Sequence, residues 1–364
     1  MNAMRAVLHA LSIALRVGAG TVASTRLVKV VATAPPVRQT LTPMASISVV
    51  IPARDEAARI GPLLAAVIGA PRVSEVIVVD DQSGDATAEI ARFAGATVIE
   101  GTSLPDGWAG KAWALQQGIE AAQSDWVVTL DADTRPHPDL PGALVARATG
   151  DRFDLVTVGG RFDLPTAGSR WLHAAMLTTL VYRFGPPGVA PSRADRTMAN
   201  GQCMAFERRS FLEIGGMALV RGEVVEDIAL ARRLATDGRK VGFLDANALL
   251  DVRMFESTRD VWNGWGRSLA LPGVEPRNRQ IFDLAVVVLA QVLPILRLLS
   301  RRGDMVDLAL AAMRLGTLAG TRTAYTRNDA AYWLSPLADP LAAFAIVRGI
   351  ARGARQTWRG RTYG

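Results

Sequence analysis

The chain is short of the residues that build metal and disulfide sites. Its 364 residues include one cysteine, Cys203, which excludes an intramolecular disulfide framework and a cysteine-rich zinc or iron–sulfur centre. Three histidines leave little room for a multi-histidine metal centre. Lysine is scarce, 3 against 38 arginines, a skew of the kind GC-rich codon usage produces, so the basic balance alone points to no nucleic-acid partner. Charged residues make up only 21% and hydrophobic ones 49%, which excludes a disordered chain. A mean hydropathy of +0.19 is high for a fully soluble protein and points to membrane contact. The length suits about two domains, with a core that needs no staple. Neither a G-x-G-x-x-G after the first strand nor a Walker loop is present; Gly107–Lys111 lacks the spacing and the Ser/Thr. Internal repeats and low-complexity stretches are also lacking.

What is present changes along the chain. Residues 1–45 read as a leader: Ala6–Leu15 is a short apolar run after Arg5, broken by Arg16 and too short for a confident span. Ala32-Thr33-Ala34 has a cleavage-like pattern, but an uncleaved amphipathic anchor is the preferred reading, with Arg26 and Lys29 keeping the following side in the cytoplasm. Residues 46–270 form the main domain. Ser46–Ile51, Glu75–Val79, Ala96–Glu100 and Trp126–Leu130 read as strands. Asp55–Ile68, Ala86–Phe93 and Lys111–Ala122 read as the helices between them. This alternation predicts an α/β fold with a mostly parallel sheet flanked by helices, and ligands at the C-terminal ends of the strands. Residues 281–364 turn apolar and end in an Arg-rich tail. Leu284–Leu296 is a run of 13 interrupted only by Gln291 and Pro294, more often interfacial, re-entrant or buried than spanning. Residues 297–364 hold 11 Arg and 4 Asp; the rest of the chain holds 30 basic and 30 acidic residues. That localised charge, interleaved with Trp and Leu, suits an anionic membrane surface; a solvated basic tail is the plainer alternative.

Three strand ends carry carboxylates. Pro52 to Glu56 follows the first strand, Asp80, Asp81 and Asp85 the second, and Asp131 and Asp133 the fourth. Alone, an Asp-Asp or Asp-x-Asp reads more readily as a turn or a cap. Three on one rim would repel unless a cation sits between them, and a divalent metal with a nucleotide diphosphate fits. Lys111 opens a helix after a Gly-rich turn, where a phosphate could sit. Glu226 and Asp227 start another helix; capping is the plain reading, and a general base at Asp227 the functional one. Trp262, Trp265 and Arg267 are either ordinary packing or a cover over a diphosphate and an acceptor.

Taken in order, Pro52 to Glu56 (a P-x-x-N-E pattern with Asp55 in place of Asn), Asp80 to Asp85, Asp131-Ala132-Asp133 and Glu226-Asp227 resemble the family 2 glycosyltransferases over about residues 46–270. Gly107 to Lys111, Asn200-Gly201-Gln202, the Trp262–Arg267 cluster and Thr357 to Arg361 resemble a membrane-associated branch that includes carotenoid-acid and hopanoid-associated enzymes. The resemblance implies a GT-A fold and inverting, metal-dependent transfer of one sugar from a nucleotide-sugar, UDP-linked by expectation, to a lipidic acceptor at the cytoplasmic face of the cell membrane. It implies that Pro52, Glu56 and Asp81 hold the nucleoside, that Asp80 belongs to the same nucleotide-sugar site and that Asp131 meets ribose or diphosphate. Asp133 would hold Mg²⁺ or Mn²⁺, with Lys111 or Arg267 on the diphosphate. Glu226 and Asp227 would be catalytic, and Gly201, Gln202, Trp262 and Trp265 would face the acceptor. The processive members' Q-x-x-R-W is not present as such, which speaks against polysaccharide synthesis. A sugar nucleotidyltransferase is the second enzyme reading, although the loop after the first strand carries no glycine. A non-catalytic binding scaffold is the third.

Overall fold

The computed structural model describes residues 2–39, 45–191, 193–353, 356–358 and 361–363. The chain divides into two compact units, and each draws on segments far apart in sequence. One comprises Thr33–Phe162, Pro187–Met254 and Gln356–Gly364 and carries the sheet. The other comprises Met1–Ala32, Asp163–Pro186 and Phe255–Arg355 and is helical. Compactness therefore groups residues 163–186 and 258–268 with the terminal helices rather than with the residues that flank them in the chain.

The sheet unit contains β1 (Ile47–Ala53), β2 (Val73–Asp80), β3 (Thr97–Glu100), β4 (Trp126–Leu130), β5 (Thr134–Pro136), β6 (Leu155–Gly159), β7 (Arg161–Phe162), β8 (Cys203–Glu207), β9 (Val241–Asp245) and β10 (Leu250–Val252). Seven strands form the main sheet in the order β3-β2-β1-β4-β8-β6-β9. All pairs are parallel except those of β8, which runs antiparallel to both β4 and β6. The central runs are apolar throughout, as strands covered on both faces must be: Ile47, Val49, Val50, Ile51, Val78, Val79, Val127 and Val128 are all buried. Helix Gly110–Ala121 lies close on this sheet because Gly118 has no side chain; a Cβ there would come within 2.5 Å of Val50 and 2.9 Å of Val79. A small sheet, β5-β10-β7, is held by a two-pronged pair from Arg161 to Asp251 at 2.7 and 3.0 Å. Gln356–Trp358 and Arg361–Tyr363 pair as a short antiparallel ladder; Arg359 and Gly360 lie outside the described residues.

The first helix after β1 starts at Ile60, not at Asp55 as its sequence suggests. Asp55 adopts a left-handed backbone, φ 53°, which no α-helix accommodates. Residues 54–59 form a loop at the rim instead, closed by bonds from Arg59 N and Ile60 N to Glu56 O.

The helical unit contains the long helix Asn2–Leu27, then Ala167–Phe184, Thr258–Ser268, Arg277–Val287, Leu293–Leu299, Met305–Thr321 and Asp339–Arg352. A π-turn, Val288–Val292, joins Arg277–Val287 to Leu293–Leu299. It precedes Pro294, whose ring would strike the carbonyl four residues back in an unbroken α-helix. Met4–Ala32 and Arg277–Leu299 are long and apolar enough to cross a membrane, by length and composition. The short apolar run is thus the middle of a 23-residue rod, about 34 Å at 1.5 Å per residue.

Charge in this unit is turned inward. Arg16, fully buried, reaches Asp304 at 2.7 Å and Asp307 at 2.5 Å, and Arg297 joins the same pair of carboxylates. Arg314 binds Asp339 at 2.8 Å, with Gln291 on the same carboxylate. Arg26 binds Asp283 at 3.0 Å. Apolar groups are turned outward: among the described residues every large exposed hydrophobic except Phe93 belongs to this unit, from Met4, Val7, Leu8 and Leu11 to Leu341, Phe344 and Val347.

Candidate active site

The site lies at the rim where β1, β2 and β4 end. Because β8 runs antiparallel, Cys203 pairs with Leu130, and the turn that enters β8 arrives at the same rim where β4 leaves it. Asp131 N donates to Gln202 O at 2.9 Å across this junction. Asn200 and Gln202 brace the turn: Gln202 N donates to Asn200 Oδ1 at 3.1 Å, and Asn200 Nδ2 to Gln202 Oε1 at 2.9 Å.

Lys111 stands at the centre of an acidic group. Its Nζ lies 2.9 Å from Asp131 Oδ2, 3.0 Å from Glu226 Oε1 and 3.4 Å from Gly201 O. Burial works against the ammonium, but Asp131, then Glu226 and Asp227, hold the proton on it more firmly than on a free lysine. Asp131 is pushed up to about 6, first by burial, with Lys111 opposing and Asp133 and Glu226 adding repulsion. Asp227 is also pushed up to about 6, by burial and by Glu226, against Lys111. Its two oxygens are aimed by the backbone: Gly201 N donates to Oδ2 at 2.7 Å and Ile228 N to Oδ1 at 2.8 Å. Gly201 leaves little spare room here. A Cβ would lie 3.1 Å from both Asp227 Cβ and Lys111 Nζ and 3.2 Å from Glu226 Oε1.

Asp133, two residues past Asp131, is raised by burial and by Glu56, with Arg59, Lys111 and Arg135 opposing. Its Oδ1 is buried and has no hydrogen-bond partner. Among the described residues no group of three or more His, Cys, Asp or Glu side chains is arranged to hold a metal by itself. One unpaired carboxylate oxygen nevertheless fits a divalent cation whose remaining positions are filled by phosphate oxygens and water.

The β1–β2 half of the rim is tied together by its own side chains. Arg54 donates to Asp81 O at 3.0 Å and approaches Asp81 Oδ2 at 3.4 Å. Asp55 Oδ1 accepts from Gly84 N at 2.8 Å, and Asp55 N donates to Ser83 Oγ at 3.0 Å. An asparagine at this position would supply the same Oδ1 and tolerate the same φ, so the Asp55 substitution leaves the loop intact. Glu56 N donates to Thr87 Oγ1 at 2.8 Å, and its carboxylate pairs with Arg59 at 2.7 Å. Asp80 Oδ2 accepts from Ser83 N at 3.2 Å, while its buried Oδ1 has no partner. Pro52 is half-buried on β1 beside these loops.

Residue for residue, the structure brings Lys111, Asp131, Gly201, Glu226 and Asp227 into contact and puts Asp133 and Glu56 within electrostatic reach of each other. Asp80 and Asp81 belong to the Arg54 side of the rim. Trp262 and Trp265 lie in the helical unit, on Thr258–Ser268; Trp265 stacks on His173 with centroids 4.0 Å apart, and Arg348 covers Trp262. The side chain of Arg267 lies outside the described residues. Arg54, Arg59 and Arg135, which the sequence reading passes over, each act on one of the rim carboxylates. Their proximity to the acidic motifs in the chain is the signal that marks them.

Known proteins resemble this chain. Residues 48–215 match the model of the family described as "Glycosyl transferase family 2". This stretch therefore resembles a family 2 glycosyltransferase domain. The 4,4'-diaponeurosporenoate glycosyltransferase of Staphylococcus haemolyticus (strain JCSC1435) is 44% identical over 231 residues, covering 62% of this chain and 61% of that protein. The enzyme of the same name from Staphylococcus aureus (strain bovine RF122 / ET3-1) is 43% identical over 89 residues, 24% of each. The chain thus spans less than two thirds of the length of these curated relatives. Among solved structures, a mannosyltransferase from Pyrobaculum calidifontis in complex with GDP-Man and Mn²⁺ matches with a TM-score of 0.57 and 19% identity, covering 95% of this chain and 98% of that one. The sheet unit therefore has the GT-A fold, with the mostly parallel sheet expected for it, and an apolar helix follows towards the C-terminus.

Proposed function

We propose that the protein is an inverting, metal-dependent glycosyltransferase that moves one sugar from a nucleotide-sugar to a lipidic acceptor, at the cytoplasmic face of a membrane. The observation that carries this reading is the single acidic rim: Asp131, Glu226 and Asp227 gathered on Lys111, with the unpaired Oδ1 of Asp133 two residues past Asp131. The family match and the carotenoid-acid glycosyltransferases among the relatives support the reaction and the acceptor class.

Pro52, Glu56, Asp80 and Asp81 would receive the nucleoside on the β1–β2 side. Asp131 would orient ribose or diphosphate, its charge balanced by Lys111. Asp133 would hold a divalent cation, which when bound supplies positive charge to the departing diphosphate. Asp227, held by Gly201 N and Ile228 N, takes the proton of an acceptor hydroxyl. The acceptor oxygen bonds to the anomeric carbon as the bond to the diphosphate breaks on the opposite face, and the leaving group keeps that electron pair. A carboxylate acceptor, already ionised, would need Asp227 only for orientation. Lys111 stays protonated throughout and steadies the carboxylates around it.

Membrane association is part of this proposal. Its support is the outward apolar surface and inward charge of the helical unit, the reverse of what water favours. The test is a screen of UDP- and GDP-sugars with lipid extract and Mn²⁺ or Mg²⁺. A sugar-lipid product that disappears on chelation and in Asp133→Ala is expected. Equal turnover without metal would overturn the role of Asp133.

A further inference from the structure

We propose that the C-terminal end of helix Asp339–Arg352, together with Trp262, binds the phosphate of an anionic phospholipid. This rests on the membrane reading above and adds a lipid class to it.

The observation is an arginine with no counter-ion among the described residues. Arg16, Arg26, Arg170, Arg297 and Arg314 of the helical unit each pair with an aspartate. Arg348 does not. Its guanidinium carbon lies 4.4 Å from the centroid of the Trp262 ring, its Nη2 donates to Trp262 O at 3.4 Å, and its Nε is buried with no hydrogen-bond partner. One turn on, Arg352 presents a second positive charge on the same helix face. Like charges four residues apart oppose each other. Burial and Arg352 both weaken the hold of Arg348 on its proton, the condition an added anion would relieve. The helix dipole accounts for a cation at this end. It does not account for a guanidinium tucked onto an indole with one donor unused.

The surroundings say what kind of anion fits. The same helix exposes Leu341, Phe344 and Val347, and Phe344 stacks on the other contact of the site, Trp262, with centroids 6.2 Å apart. A free ion gains nothing from that surface. An amphiphile does: its phosphate meets the guanidinium fork and its chains lie over Phe344 and Leu341. Tryptophan is enriched at the membrane–water boundary.

The test is flotation of the purified full-length protein with vesicles of phosphatidylcholine alone or mixed with phosphatidylglycerol. The expected result is binding to both, with a preference for the mixed vesicles that falls about fivefold in Arg348→Gln and again in Arg352→Gln, from a contribution near 1 kcal/mol per basic residue. Binding of the variants to phosphatidylcholine should be unchanged, which also reports that they fold. Arg348→Lys should lose much of the preference, because an ammonium lacks the fork. A full preference in Arg348→Gln, or wild-type behaviour in Arg348→Lys, would overturn the site and leave only diffuse attraction. Failure of the wild type to float with either vesicle would instead overturn the membrane reading.

Discussion

Asp227 is a carboxylate positioned by peptide N–H groups and raised first by burial and then by Glu226. With a value pushed up to about 6, it is ionised, and able to accept a proton, only above that pH. Transfer to a hydroxyl acceptor should therefore fall as pH drops through about 6, and the low-pH limb should vanish in Asp227→Asn. That variant should keep donor affinity by calorimetry while losing about 10²–10⁴-fold in turnover. Gly201→Ala should be costly for a different reason. Its methyl meets three members of the cluster at 3.1–3.2 Å, so a loss of about 1–3 kcal/mol in thermal or denaturant unfolding is expected, along with activity. At this scale the sequence marks Asp131, Asp133, Glu226 and Asp227 as candidates, because charge at a strand end or helix start is conspicuous. The pairing stays hidden. Lys111 reads as free to meet a phosphate, and only the fold shows it shared between Asp131 and Glu226, from opposite ends of the domain.

Elements differ in how plainly they announce themselves. The β-branched runs of β1, β2 and β4 identify buried parallel strands, since no other element is apolar on both faces over so few residues. Cys203–Glu207 gives no hint of direction, yet its reversal brings Gly201 and Gln202 to the rim. Residues 55–59 carry a helical pattern and are not helix, because the bonds of Asp55 and Glu56 to Ser83, Gly84 and Thr87 outweigh five residues of propensity. In the helical unit, Asp304 caps Met305–Thr321 and accepts from Arg16 as well. Arg16 holds the Asp304 carboxyl well below the usual carboxylate range. A lowered value stabilises the fold at every pH above the unfolded value, and the stabilisation is lost as pH falls towards the folded one. Acid unfolding followed by circular dichroism in detergent should accordingly shift to higher pH in Arg16→Gln. The same variant leaves buried Asp307 with Arg297 as its cation among the described residues, and a loss of about 3–5 kcal/mol at neutral pH is expected from breaking a buried pair.

For the whole molecule, the notable contrast is between the two units' surfaces. The sequence places all its excess positive charge in the last fifth of the chain, which suggests an electrostatic tail. The fold shows Arg297 and Arg314 from that region neutralised internally, while the surrounding helices expose leucine, valine and phenylalanine. Attachment driven by apolar area is not screened by salt. The protein in a membrane fraction should therefore resist high-salt and carbonate washes and come away only with detergent; release by salt alone would argue for the tail.

The link from Arg16 to Asp307 closes a loop of 291 residues. A chain made from its N-terminus has the first helix in hand long before the carboxylates that receive its arginine exist. Every strand of the main sheet is complete by Asp245, so the ribosome can release a finished sheet while the opening helix still waits. The helical unit is in this sense completed late, around a helix synthesised well before the carboxylates it binds.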